Sequence, residues 1–118
     1  MTDITPYLNH PDILNETAKQ VVKDCGMSGL EIKVVPHPGL TYDELFSAIR
    51  PVVEALLKKD PQHFFRLMYR IDISEEQIKK ETSLAVDKTF AEVVTGLILK
   101  RELLKVVIRR SYSAGKEL

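Results

Sequence analysis

Residues 88–110 read KTFAEVVTGLILKRELLKVVIRR, and this stretch decides the fold. It is the longest helical pattern in the chain, and Thr89 with Glu92 offers a capping box at its start. At about 100° per residue two apolar surfaces emerge. The wider one holds Phe90, Val93, Val94, Leu97, Leu104 and Ile108. The other lies nearly opposite, at Leu99, Leu103 and Val106, with Val107 on its flank. Glu102, Lys105 and Arg109 fall between them and read as a wet strip. A helix apolar on two sides must be covered on two sides, by the rest of the chain or by a second subunit. Leu99, Leu103 and Val106 are therefore candidate interface residues.

Arg101 falls within the wider apolar face, between Leu97 and Leu104. A guanidinium there snorkels out or meets a carboxylate. Asp72 is the first candidate partner, ahead of Glu54 and Glu44. If Asp72 is buried, removing Arg101 alone costs about 3 kcal/mol. The pair reads either as a structural ion pair or as an anion site, with Tyr69 and Arg70 nearby in sequence.

Outward from this helix the punctuation is readable. Pro11 to Cys25 carries apolar residues at helical spacing, with proline at its first position and Gly26 placed to end it. Leu30 to Val35 alternates and reads as extended, without a partner strand in the chain. It serves as a connector or pairs with a second copy. Thr41 and Glu44 cap a second helix, which Pro51 should kink or split. Asp60-Pro61 starts a shorter helix to about Tyr69, and Ser74 with Gln77 caps a fourth. Thr5-Pro6 suits a single turn. The expected fold is mainly α: about five helices packed around a long C-terminal helix, with one short extended segment near residues 30–35. Residues 1–118 read as a single domain.

Composition narrows the function classes. The 118 residues carry 17 basic and 17 acidic side chains, so no global field draws the chain to nucleic acid or anionic lipid. Cys25 is the one cysteine, which excludes an internal disulfide and suits a reducing compartment. No run approaches a membrane span and no secretory signal is visible, so a soluble, cytoplasmic protein is expected. The charge is uneven: Lys100, Arg101, Lys105, Arg109, Arg110 and Lys116 stand against Glu102 and Glu117, a surplus of four. A basic final helix can touch phosphates, but it also suits a helix C-terminus.

Convergent chemistry is missing from the pattern. His10, His37 and His63 lie far apart, each beside a proline or a cap, and no metal-ligand spacing occurs. The five glycines do not cluster into a phosphate loop, and Gly96 reads as a place of close helix approach. Cys25 lies on an apolar helix face and reads as an inert core thiol. Asp43-Glu44 and Glu75-Glu76 fall in first helical turns, where capping and the dipole account for them. Phe64, Phe65 and Tyr69 read first as core, and otherwise as the lining of a ligand pocket.

Residues Tyr69 to Glu75, followed by Leu97 to Val106, resemble a family of small bacterial helical proteins of unknown function. The resemblance covers about the last half of the chain and implies a bacterial cytoplasmic protein. It carries over no catalytic residue and directs attention again to Asp72 and Arg101. No catalytic, cofactor-binding or metal residue is assigned and no cofactor is expected. The expected function is a non-enzymatic interaction or accessory module that self-associates or binds another protein, with no membrane role. The alternatives are a ligand-binding protein or enzyme using Arg101 near Asp72, and then a nucleic-acid-binding accessory protein.

Overall fold

Side chains set the start of each helix. His10 Nδ1, Thr41 Oγ1, Asp60 Oδ1 and Ser74 Oγ each accept the backbone N–H three residues on, satisfying a donor that the helix itself leaves unpaired. Thr89 and Glu92 close a full reciprocal box at 2.9 and 3.1 Å. The box at Thr41 is half closed, because the Glu44 carboxylate turns to His37 Nε2 at 2.8 Å. The computed structural model describes residues 3–116. After a 3₁₀ turn, Thr5–Tyr7, it comprises α1 (Pro11–Met27), α2 (Tyr42–Lys59), α3 (Pro61–Ile71), α4 (Glu75–Leu84) and α5 (Phe90–Lys116). The described residues contain no strand.

Two local readings change, at Gly26 and Gly96, and the split at Pro51 is excluded. α1 passes through Gly26, and Gly29 takes the left-handed conformation at φ +79°. Leu30 N–H then donates to Cys25 O at 2.8 Å and Gly29 N–H to Gly26 O at 3.0 Å, closing the helix end. Pro51 does not split α2, which is continuous from Tyr42 to Lys59. Pro51 and Ser47 are both exposed, so water can serve the carbonyl left without its helical donor. Gly96 does not admit a neighbouring helix: a Cβ there would meet nothing within 4 Å.

The 30–35 segment runs extended without pairing. Ile32 is buried and Leu30 and Val34 pack on the core, while Glu31, Lys33 and Val35 point outward. Its alternation comes from lying along the helices as a connector.

α5 packs against α1, α2, α3 and α4. Its core-facing side rotates along its length. Up to Leu99 the buried apolar residues are Ala91, Val93, Val94, Leu97, Ile98 and Leu99; beyond Arg101 they are Leu103, Val106 and Val107. Leu104 is only half-buried and Ile108 is exposed, so the wider apolar face belongs to the core in the first half alone. Each fully buried leucine here contributes about 1.5–3 kcal/mol relative to exposure.

Candidate functional site: an arginine and aromatic face on α3

Leu99, Leu103 and Val106 are each 0% exposed, covered by the chain's own helices. The expectation that they form a partner surface is corrected: this side of α5 is covered within one chain, while the wider apolar side loses its cover towards Ile108.

Arg101 and Asp72 come together. Asp72 closes α3 in the left-handed conformation, with φ 71° and ψ 52°. Arg101 Nη2 lies 3.0 Å from Asp72 Oδ2, and Nε donates to Ile71 O at 3.3 Å. The guanidinium thus sits at the carbonyl end of α3, where the helix dipole favours a cation. The Asp72 side chain is 81% exposed, so the premise of a buried partner fails and the pair is worth about 1 kcal/mol or less. The Asp72 carboxylate already pairs with the Arg101 guanidinium and would repel an anionic ligand there.

Glu102 is the second correction. It was expected in a wet strip, yet it is 0% exposed, wedged between α1 and α5. Neither carboxyl oxygen has a hydrogen bond of ordinary geometry, and the Lys105 ammonium stands 3.5 Å from Oε2. Burial, reinforced by the neighbouring Asp24, pushes the Glu102 carboxyl up to about 8. Burial also works to raise Asp24, but Glu102, Gln20 and Lys105 gathered round it outweigh that and hold it below its ordinary value. Lys105 Nζ lies 3.2 Å from Asp24 Oδ2, and Gln20 Nε2 donates to the same oxygen at 3.0 Å. Near neutral pH this places a protonated Glu102 beside an ionised Asp24. The same burial pushes the Cys25 thiol up to about 12, which makes it unreactive.

The basic surplus of α5 is also largely consumed. Arg110 pairs with Glu16 at 2.7 Å, Lys105 with Asp24, Arg101 with Asp72, and Arg109 Nη1 donates to Gln20 Oε1 at 3.2 Å. Apart from Arg101–Asp72, which joins α5 to the end of α3, this set runs along the α1–α5 seam and is what a structural charge set looks like.

The outer face of α3 differs. Phe64, Leu67, Met68 and Ile71 are buried and complete the core stripe at helical spacing. Phe65 and Tyr69 lie off that stripe, one turn apart, at 51% and 89% exposure. The expectation that they join Phe64 in the core is thereby corrected. Phe64 alone is inside, and its ring meets Phe65 edge-on at 5.4 Å. Arg66 and Arg70, also one turn apart and exposed, have no carboxylate within ion-pair distance among the described residues. Arg70 Nη2 lies 2.9 Å from the Met27 sulfur, a weak neutral acceptor that leaves the charge uncompensated.

A groove of about 780 Å³ runs between this face and the end of α1, lined by Met27, Ser28, His63, Phe65, Arg66, Tyr69 and Arg70. His63 Nε2 donates to Ser28 O, which fixes the groove floor by tying the first turn of α3 to the end of α1. The side chain thus reaches across the fold although the backbone of His63 is only locally bonded, to Asp60. The sequence reading passed over Arg66 and Met27. The available signal was the stripe itself: once Phe64, Leu67, Met68 and Ile71 fill it, Phe65, Arg66, Tyr69 and Arg70 are left outside.

No group of three His, Cys, Asp or Glu side chains among the described residues could hold a metal ion. No helix among them is long and apolar enough to cross a membrane. No protein-family model, no curated protein and no solved structure matches the chain.

Proposed function

We propose that this protein is a non-enzymatic interaction module that recognises a partner through the outer face of α3 and the end of α1. The observation that carries this reading is the set of Phe65, Tyr69 and Met27 exposed beside two arginines that no carboxylate among the described residues neutralises. Aromatic residues, methionine and arginine are the types enriched where proteins dock, and scattered single apolar residues are not. Enzymatic chemistry gains no comparable support: Ser28 and His63 both line the groove, but they meet through the Ser28 carbonyl oxygen, which ties up the His63 ring without activating the Ser28 hydroxyl. A cytoplasmic location belongs to the proposal, supported by one buried cysteine without a disulfide. The partner is another protein or a second copy of this one. Membership of a bacterial family is likewise part of the proposal, on the resemblance of the C-terminal half alone.

Photo-crosslinking in the source cells tests it. A benzophenone side chain in place of Tyr69 should give one dominant adduct, and the same group in place of Val86, itself 91% exposed, should not. Equal, diffuse labelling from both positions would remove the interaction reading. An adduct at twice the mass of the chain would identify the partner as a second copy.

A further inference from the structure

We infer that the partner of the α3 face is an acidic protein segment, with two carboxylates about one helical turn apart flanking an apolar or aromatic anchor. The inference rests on the interaction reading and gives it a chemistry. Residues Pro61–Ile71 contain no aspartate or glutamate. The two carboxylates that bracket the helix are both engaged: Asp60 Oδ1 accepts from His63 N–H at 3.1 Å and Asp72 pairs with Arg101 at 3.0 Å. Arg66 and Arg70 are therefore left facing the groove as the uncompensated charges, and an anionic occupant is what they complement.

Spacing adds to charge. Side chains four apart on a helix lie about 6 Å from each other. Two guanidiniums at that separation match carboxylates one turn apart on a helix or two residues apart on an extended strand. Each guanidinium can take a carboxylate through a two-pronged hydrogen bond, which a lysine could not. Phe65, Tyr69 and Met27 beside them provide the apolar contact that turns a charge pair into a specific site, because the central anchors of protein interfaces are of these types.

A single-stranded nucleic acid would also meet arginines and rings, but the rest of the chain argues against it. Binding to a phosphate chain grows with the number of phosphates neutralised, and the net charge here is zero. Of the α5 cations, Arg101, Lys105 and Arg110 are held by Asp72, Asp24 and Glu16.

A randomised twelve-residue peptide library displayed on phage, panned against the full chain, tests the inference without knowledge of the native partner. The expected winners carry an excess of aspartate and glutamate around a leucine, phenylalanine or tryptophan. A synthesised winner should bind at least tenfold more weakly to the Arg66→Glu/Arg70→Glu variant, and a version with glutamines for its acidic residues should lose binding to the same degree. Tyr69→Ser, which leaves both charges in place, should also weaken it and show that the anchor is apolar. Circular dichroism confirms that both variants stay folded. Winners without an acidic excess, or winners indifferent to the charge reversal, would overturn the inference, as would arginine-dependent binding of a twelve-nucleotide oligouridylate with no acidic peptide selected. If the Tyr69 crosslink persists in that event, the interaction reading stands and only the acidic chemistry falls; if the crosslink is missing, both fall.

Discussion

The α1–α5 seam and the outer face of α3 both gather charge, and they dispose of it in opposite ways. In the seam Lys105, Arg109 and Arg110 each meet a carboxylate or amide of α1, and the surplus acid, Glu102, is neutralised by taking up a proton. On α3, Arg66 and Arg70 meet no acid among the described residues, and two rings stand beside them in water. A charge set that closes on itself holds helices in register. A set left open on a rigid element is available to something else. Alterations in the seam should therefore change stability, and alterations on the α3 face should change binding alone.

The largest effect should come from the core under the seam. Leu103→Ala removes a side chain with 0% exposure and should cost about 3 kcal/mol, read as a shift of the denaturation midpoint at constant slope. A change below about 1 kcal/mol would mean that this part of α5 is not packed within the chain.

Glu102→Gln comes next and sharpens the comparison through pH. Because the folded protein holds the proton up to about 8 and the unfolded chain releases it near 4.5, the contribution of Glu102 is fully present below about 4.5. It is lost as the pH rises from there towards about 8, since the folded state must either keep a proton the solution lacks or bury a charge. Glu102→Gln removes that loss. It should leave stability nearly unchanged at pH 4.5 and raise it at pH 8, measured by urea denaturation at both values. Equal effects at the two pH values would show that Glu102 is solvated.

Smaller effects follow. Arg101→Met should cost about 1 kcal/mol or less, because Asp72 can return to water when its partner goes. Gly96→Ala should stabilise by about 0.5–1 kcal/mol, since the added methyl meets nothing within 4 Å and removes backbone freedom from the unfolded chain. A thermal melt of each variant checks both; destabilisation by Gly96→Ala would place a neighbouring helix against that position.

Much of the helical framework was legible because it is written locally. Thr41, Asp60, Ser74 and Thr89 carry their capping acceptors on the residue itself, and Pro11 and Pro61 sit where a missing N–H costs nothing. The end of α1 was less so, because Gly26 and Gly29 are both permissive and only the wrap of Leu30 back onto Cys25 selects the second. The environment of α5 was not legible from one helical wheel. Its first half is covered on one side and its second half on another, so a single average over 23 residues placed Glu102 in water and Ile108 in the core. The Arg101–Asp72 pairing was within reach as a charge on an apolar face seeking a partner, but the exposure of Asp72 depends on the left-handed turn that ends α3. The open face of α3 was hidden by reading Phe64, Phe65 and Tyr69 as one cluster, although Phe64, Leu67, Met68 and Ile71 already fill the i, i+3, i+4, i+7 stripe and Phe65 and Tyr69 fall outside it.

The most direct measurement is made on the Arg66→Glu/Arg70→Glu variant, by thermal melting and by crosslinking from position 69 in parallel. Melting should stay within about 0.5 kcal/mol of the parent, as for surface changes away from structural contacts, while the Tyr69 adduct disappears. A clear loss of stability with the adduct intact would mean that the two arginines hold the fold together and that the face they mark is not where a partner binds.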